Sequence, residues 1–353
     1  MYRIAIKTDL LKTLRNFVLP GFIQQLMTKD FPYTLFYRHQ IAAQINCLAA
    51  LRIPFLFIID YKAEKGYIIR YDELDNQFVQ FEIQLTRIPI CQPIDWVLKP
   101  ITLEDYQPRF TYVVEQIYKG NSFLVNLTQP TPVKTNLSLH ELFQFGSAKY
   151  KLWMKDQFVV LSPETFVRIH GCTISAFPMK GTIDASVENA IEIILNDPKE
   201  KAEHATIVDL IRNDLSIVAE NVEVKRYRYV EKLTTNKQDL LQVSSEVVGQ
   251  LPENFHAHLG DILFALLPAG SITGAPKPKT MEIIDKAEGY ERGFYTGICG
   301  IFDGENLDSA VMIRFVEQQG EQLIFKSGGG ITYRSDLEKE YEELIQKVYV
   351  PIS

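Results

Sequence analysis

The sequence predicts an α+β fold built from antiparallel hairpins with helices between them. Its last third holds three successive strand-like segments joined by turns, "FYTGICGIFDG", "DSAVMIRFVEQQG" and "QLIFKSGGGITY". Helical segments separate such hairpins and do not follow each strand in turn, which favours α+β over a parallel, doubly wound sheet. The hydrophobic fraction of 46% and the charged fraction of 23% are those of a globular chain.

Length and charge narrow the class further. A chain of 353 residues can form one large unit or two closely joined ones. Our prediction is a single domain over 1–353, with an N-terminal part (1–100) and a core (101–350). The 37 Lys and Arg against 44 Asp and Glu give a net charge of −7, so the whole-molecule field attracts neither nucleic acid nor anionic lipid. The longest apolar stretches fall short of the roughly 20 residues that cross a bilayer, so no membrane span is predicted.

The N-terminal part begins with a segment of near-helical spacing, "MYRIAIKTDLLKTLRNFVLPGF". It lacks a basic start followed by a continuous apolar region and a cleavage site, which predicts a cytoplasmic protein. Strand-like segments follow, separated by turn residues: "FLFIIDY", "KGYIIRYDE" and "FVQFEIQL". None of them carries obvious chemistry.

The core alternates helices with hairpins. Pro198 suits the first turn of a helix and Gly120 the end of one, while alternating apolar residues on both sides of His170 and Gly171 predict a hairpin. The predicted elements are a strand over 122–127, two strands flanking His170, and helices over 103–119, 198–214, 280–286 and 337–349.

The last helix carries an apolar stripe formed by Leu337, Tyr341, Leu344, Ile345 and Val348. Glu340 and Lys347 lie together at one border of this stripe, with Glu343 between them. Such a border is commonly a solvated Glu–Lys face, and periodicity alone favours that interpretation.

Glu203 shares a helix face with Ile207 and Leu210. A carboxylate on an apolar face needs a cation, because charged groups are seldom buried unpaired. Together with Glu340 and Glu343 it would suit Mg²⁺, which takes one or two carboxylates plus oxygens from water and a ligand. The alternative is that Glu203 only complements the helix dipole, and spacing does not show that the two helices meet.

Several features concern anions or reactive groups. The "SGGG" run at 327–330 lets backbone N–H groups approach an anion, although a plain glycine-rich turn is commoner. Arg314 lies in an otherwise apolar strand, where a buried guanidinium needs an anionic partner.

In "FPMKGT", the local pattern favours Lys180 as a solvent-facing charge. The loop "AGSITGAPKPKT" lacks the Gly-Lys-Ser/Thr of a phosphate loop.

Together these motifs resemble the chorismate-utilising family, which includes anthranilate synthase component I, aminodeoxychorismate synthase component I, and isochorismate and salicylate synthases. The likeness runs from about Ile101 to Val348 and rests on motifs in the family's order: "GNSFLVNLTQ", "LSPETF", "PMKGT", "KAEHATIVDLIRNDL", "AGSITGAPKPKTMEIID", "RGFYTGICG", "AVMIRF" and "SGGGITYRSDLEKEYEELIQK". It implies two stacked, mostly antiparallel sheets surrounded by helices, with the site in the cleft between them.

The resemblance also implies a role for each matching residue. Glu203, Glu340 and Glu343 would hold Mg²⁺, directly or through water, against a carboxylate of chorismate. Glu164 matches the general acid/base that serves the departing ring hydroxyl. The positions that bind the substrate's carboxylates match Ser271, Thr273, Gly274, Tyr295, Arg314, Gly328, Gly329 and Lys347.

Lys180 separates branches of the family. A lysine in "PMKGT" resembles the motif of aminodeoxychorismate synthase, because anthranilate synthase typically has alanine at this position. The lysine would add at ring C2 as the C4 hydroxyl leaves, and ammonia would then enter at C4 as the lysine departs. The implied product is 4-amino-4-deoxychorismate. Its ammonia would come from a separate glutamine amidotransferase partner, and a separate lyase would convert it to 4-aminobenzoate for folate synthesis.

Two departures from the family's pattern keep alternatives open. Gln242 aligns where many members have histidine, and glutamine can donate a hydrogen bond but cannot transfer a proton near neutral pH. Residues 1–100 are shorter than in larger members and lack an "LLES"-like tryptophan-binding motif, which weighs against anthranilate synthase. The alternatives are anthranilate synthase component I and a non-catalytic chorismate-binding subunit.

Overall fold

The computed structural model describes residues 31–83, 93–234 and 239–352. Contacts divide the chain into two units, Met1–Tyr33 and Thr34–Ser353. The described part of the first unit is 31–33, where the rings of Phe31 and Tyr33 meet edge to face with their centroids 5.5 Å apart. The helical segment predicted at the N-terminus lies outside the described residues. All the elements named in the following paragraphs belong to the second unit.

Several helices of this unit begin at residues whose side chains cap them. Asp197 accepts a hydrogen bond from the Glu200 amide ahead of Pro198, and Asp336 accepts one from the Lys339 amide, which satisfies N–H groups that a helix start leaves unpaired. The α-helices in the described ranges are α1 Arg38–Ala50, α2 Leu103–Tyr118, α3 Leu139–Phe145, α4 Ala190–Asn196, α5 Pro198–Leu215, α6 Leu259–Leu266, α7 Lys277–Glu288 and α8 Leu337–Gln346.

The strands follow one another in short hairpins. They are β1 Phe36–Tyr37, β2 Phe55–Ile59, β3 Lys65–Arg70, β4 Val79–Ile83, β5 Trp96–Leu98, β6 Leu124–Thr135, β7 Tyr150–Met154, β8 Phe158–Ser162, β9 Thr165–His170, β10 Thr173–Ala176, β11 Met179–Asp184, β12 Glu220–Thr234, β13 Asp239–Gln250, β14 Gly274–Ala275, β15 Ile298–Phe302, β16 Leu307–Val311, β17 Phe315–Gln319 and β18 Gln322–Ile331.

These strands form two antiparallel sheets, which confirms the predicted fold class. The larger sheet has the order β1-β3-β2-β15-β16-β9-β10-β13-β11, with β12 also paired to β13. The smaller sheet has the order β14-β6-β18-β17-β8-β7-β4, with β5 also paired to β6. The hairpin predicted at His170 is the β9–β10 pair, in which His170 lies opposite Thr173.

Two strand predictions are wrong in extent. The segment "DSAVMIRFVEQQG", predicted as one strand, forms β16 in the larger sheet and β17 in the smaller one. The chain crosses between sheets at 312–314, where Arg314 has a φ of 51°, so Arg314 does not lie within a strand. The strand predicted over 122–127 continues to Thr135 through Pro130 and Pro132, which lie opposite β18 residues.

The helix predictions are confirmed with shifted ends. Helices α2 and α5 end within one residue of their predicted ends. Helix α7 begins at Lys277, three residues before the predicted start, and α8 ends at Gln346, three residues before the predicted end.

A long apolar segment packs inside the fold. Within the described ranges, Phe255–Ile272 is the stretch apolar enough to pass for a membrane span, with a mean hydropathy of 1.2, yet 67% of it is buried within the protein. It contains α6, whose Leu259 and Leu263 are fully buried in the core against the larger sheet. This burial is typical of a core segment.

Candidate active site

A cleft of about 610 Å³ lies between the two sheets. Lys180 and Gln242 reach it from the larger sheet and Gly328 from the smaller one, while α5 contributes Glu203. The predicted site residues that line it are Glu164, Lys180, Glu203, Gln242, Ser271, Tyr295, Arg314, Gly328, Glu340, Glu343 and Lys347. Residues far apart in the sequence therefore meet in one cleft.

Lys180 lies on β11 beside a β-bulge between Lys180 and Thr182. Gly181 in this bulge has a φ of 76°, which favours glycine. The Lys180 side chain is 30% exposed, and its Nζ lies 3.4 Å from Glu203 Oε2. Lys180 thus faces the cleft and is not the freely solvated charge that the local pattern favoured.

Glu164 stands immediately before β9, and its Oε1 accepts a hydrogen bond of 2.5 Å from Ser271 Oγ. Burial raises the pKa of Glu164 above its usual range and outweighs the Ser271 bond and the positive charges of Lys180 and Lys347, which act to lower it. A carboxyl group with a raised pKa is the form suited to donate a proton near neutral pH.

The cleft also gathers carboxylates from two helices. Glu200 and Glu203 come from α5, and Glu340 and Glu343 from α8. Glu340 is only 8% exposed, and Ser335 Oγ donates to its Oε1 at 2.8 Å. The solvated face that periodicity favoured for this helix is therefore wrong at Glu340, although Glu343 and Lys347, 2.6 Å apart, remain partly exposed.

These carboxylates could hold a cation with help from a ligand. Carboxylate oxygens are the ligands that Mg²⁺ takes in proteins. Across the described ranges, no three His, Cys, Asp or Glu side chains are arranged to hold a metal ion by themselves. A Cβ built on Gly329 would lie 3.4 Å from Glu340 Oε2 and 3.7 Å from Glu343 Oε1, so the glycine leaves room beside these oxygens. The set fits a cation that also takes oxygens from water and a ligand, and Mg²⁺ binding stays a prediction.

A basic group, Arg314, also lines the cleft. Arg314 donates from Nη1 to the Lys347 carbonyl at 2.6 Å and stacks over the Tyr349 ring at 4.3 Å. Within the part of the chain that the structure describes, no carboxylate lies within 4.0 Å of its guanidinium. Tyr295, 3% exposed, lies close enough for Arg314 to lower its pKa, although burial raises that pKa overall. The Arg314 guanidinium can receive an anionic group.

The glycine run on β18 presents backbone groups to the cleft. Strand β17 ends its pairing opposite Lys326, so residues 327–331 pair with β6 alone. Lys347 Nζ donates to the Gly328 carbonyl at 3.0 Å across this open edge. Strand pairing leaves the other side of this segment open, and anion binding by its N–H groups stays a prediction.

Thr273 and Gly274 lie behind the cleft wall and not on it. Thr273 is fully buried and donates to the Ala269 carbonyl, while Gly274 pairs with Val125 of β6. Ser271 and Ile272 of the same loop line the cleft instead. The predicted ligand contacts of Thr273 and Gly274 therefore find no support in this geometry, because motif spacing does not say which loop residues point inward.

Gly274→Ala is expected to lower the free energy of unfolding by roughly 3 kcal/mol or more. Gly274 has a φ of 120°, and a Cβ there would lie 1.8 Å from the Leu124 carbonyl oxygen. Gly120→Ala is the control, since its φ is 74° with nothing within 4 Å and only about 1–2 kcal/mol of backbone strain is expected. Equal losses in denaturant unfolding would contradict the predicted clash.

The structure adds residues that the sequence predictions missed. Glu200 packs directly over Gly181, where a Cβ would lie 2.8 Å from Glu200 Oε2, and its i, i+3 spacing to Glu203 was the available signal. Asn126 and Thr296 also line the cleft, but nothing in their local pattern indicates it. Gln242 lines the cleft as predicted and donates to Met179 Sδ at 3.0 Å. Its amide can donate a hydrogen bond but cannot transfer a proton as a histidine would.

Comparisons with known proteins concern the family and the fold. A family model for chorismate binding enzymes matches residues 72–353. The chain is 50% identical over 321 residues to an uncharacterised PabA-like protein of Pasteurella multocida, covering 89% of this chain and 99% of that protein.

Enzymes with assigned names are more distant. Identity is 34% over 261 residues to an anthranilate synthase component 1 of Haloarcula marismortui, covering 70% of this chain and 52% of that enzyme. It is 33% over 271 residues to aminodeoxychorismate synthase component 1 of Escherichia coli, covering 72% and 58%. Overall identity therefore does not separate these two activities.

A solved structure supports the fold. The isochorismate synthase DhbC of Bacillus anthracis superposes with a TM-score of 0.68 at 20% identity, over 89% of each chain. Because the family model covers most of the sequence and the architectures agree, this chain belongs to the chorismate binding enzyme family.

Proposed function

We propose that this protein makes 4-amino-4-deoxychorismate from chorismate and ammonia. The observation that carries the proposal is the position of Lys180, a primary amine in the cleft that also holds Glu164 and the basic group Arg314. Anthranilate synthases typically have no amine at this position, so the lysine favours amination at C4 over C2.

In the proposed reaction, Lys180 Nζ forms a bond to ring C2 as the C4–O bond breaks and the ring double bond shifts. Glu164 gives its proton to the departing hydroxyl, which leaves as water. Ammonia then bonds to C4 as the C2–N bond breaks, and the departing amine takes up the proton that the ammonia releases. Arg314, Lys347 and the open edge of β18 would hold the substrate's carboxylates.

Mg²⁺, held by carboxylates of α5 and α8 together with water, would neutralise a substrate carboxylate in an otherwise acidic part of the cleft. We place the protein in the cytoplasm. There a glutamine amidotransferase partner would supply the ammonia, and a lyase would convert the product to 4-aminobenzoate for folate synthesis.

Product identity tests the proposal directly. With chorismate, ammonium and Mg²⁺, the protein is expected to form a product with the mass and chromatographic retention of aminodeoxychorismate, and a chelator is expected to suppress it. Anthranilate as the product would establish the first alternative instead. Absence of turnover from a protein that binds chorismate would point to the second alternative, a non-catalytic subunit.

A further inference from the structure

Arg292 is a buried arginine outside the predicted set of site residues. It lies between α7 and β15 and is 2% exposed. Its Nε and Nη2 form a forked pair with Glu288, at 2.8 and 2.6 Å, and its guanidinium lies 4.4 Å from the centre of the Tyr61 ring. An arginine so enclosed must have its donors satisfied by the protein.

Every donor of this guanidinium has a partner. The two bonds to Glu288 use two of the five N–H groups that an arginine side chain carries. Nη2 also donates to the Asn126 carbonyl at 2.7 Å. Nη1 donates to the Ile272 carbonyl at 3.0 Å and to Thr296 Oγ1 at 3.3 Å. No hydrogen-bonding capacity remains for a ligand.

The last three acceptors share a location, since Asn126, Ile272 and Thr296 all line the cleft. They belong to three different segments, namely β6, the loop before β14 and the turn before β15. Ile272 and Thr296 directly follow two other cleft residues, Ser271 and Tyr295. One side chain thus ties together three walls of the site.

The partner carboxylate is fixed just as closely. Glu288, 1% exposed, accepts from both the amide and the hydroxyl of Thr128 at 2.8 Å. A buried ion pair repays its desolvation only with good geometry and further hydrogen bonds, so it is a weak source of net stability. The pair with Glu288 fixes the orientation of the guanidinium. It thereby fixes the directions of the other N–H groups, which reach the cleft walls.

We propose that Arg292, oriented by Glu288, is a positioning residue that sets the spacing of the cleft walls for catalysis. It touches no reacting atom and acts through Asn126, Ile272 and Thr296. The kinetic part of this inference rests on the proposed function, whereas the structural part does not.

Arg292→Lys tests the inference, because lysine keeps the charge but has three donors and no fork. Turnover of chorismate is expected to fall about 100-fold, as displacements of about 1 Å can cause. In the same protein, amide hydrogen exchange is expected to speed up in the segments around Asn126, Ile272 and Thr296, while the remaining core stays protected. A folded variant with the wild-type rate and wild-type exchange in all three segments would overturn the proposal.

Arg109→Lys is the matched control. Arg109 is a part-buried arginine that donates to the Glu288 carbonyl and to Gln129 Oε1, both at 2.6 Å, and neither residue lines the cleft. We expect it to keep near wild-type turnover and exchange at the cleft walls. Equal losses in both variants would show a general structural effect and contradict positioning by Arg292.

A milder variant covers the case in which Arg292→Lys does not fold. Thr296→Val removes one of the five acceptors and keeps the side-chain volume. Faster exchange confined to the Thr296 segment would support the proposal, and unchanged exchange there would oppose it. If the wild-type protein yields anthranilate, the proposed reaction is wrong. Amide hydrogen exchange of the wild-type protein and the variants would still test whether Arg292 positions the cleft walls.

Discussion

Lys180→Ala is expected to lower the formation of aminodeoxychorismate by roughly 10³-fold or more, the scale of losing a covalent nucleophile. The variant leaves the backbone of β11 unchanged and removes the amine that lies 3.4 Å from Glu203. Ammonia could then add at C2 itself, so some anthranilate is expected in its place. Product chromatography after incubation with chorismate and ammonium measures both changes.

Lys180→Arg separates nucleophilic from purely electrostatic catalysis. Arginine keeps a positive charge beside Glu203 but is a poor nucleophile, so it should be as inactive as alanine if the amine bonds to C2. A substantial rate with arginine would exclude covalent catalysis by Lys180. Peptide mass spectrometry of the wild-type protein, quenched with chorismate in the absence of ammonia, should show an adduct on Lys180 in the mass of chorismate less one water.

Glu164→Gln is expected to lower turnover by about 10²–10⁴-fold, the usual range for a lost general acid. The direction in which the wild-type rate changes with pH follows from the raised pKa of Glu164. The protonated form is the acid, so it is present below that pKa and is lost as the pH rises through it. The wild-type rate should therefore fall on the alkaline side, at a pH above the range of an ordinary glutamate, and this fall should be absent in the variant.

Ser271→Ala provides the control for this assignment. Ser271 donates to Glu164 Oε1, which favours the ionised carboxylate and lowers its pKa. Removing the hydroxyl should raise the pKa of Glu164 further and shift the alkaline fall to higher pH. If Glu164→Gln retains the wild-type pH profile, Glu164 is not the acid.

The sequence predicted the elements of the fold better than their limits. Apolar periodicity located α8, because Leu344 is buried in the core and Leu337 and Tyr341 pack against the same core. It could not show that the strand predicted around Arg314 divides between two sheets, since apolar residues on both sides of the break are buried. A crossing between sheets is set by tertiary pairing and has no local signal.

For the candidate site, the sequence likewise predicted which residues come together better than it predicted their surroundings. Motif order placed Glu164, Lys180 and Glu203 in one site, and the cleft contains all three. Local spacing misjudged the environment of Glu340, because periodicity marks the border of a stripe and does not reveal a neighbour such as Ser335. Arg292 opens the quoted motif "RGFYTGICG", but its role as a positioning residue had no local signal, since its partners come from segments that only the folded chain brings together.

The open edge of β18 also bears on aggregation of the protein. An unpaired strand edge is a template for pairing with another chain, and proteins normally shield such edges. Here the shield is α8, held by the bonds from Lys347 Nζ to the Gly328 carbonyl and from Ser327 Oγ to the Leu344 carbonyl. We therefore expect α8 also to hinder intermolecular strand addition, and its loss by truncation to leave this edge as a starting point for aggregation.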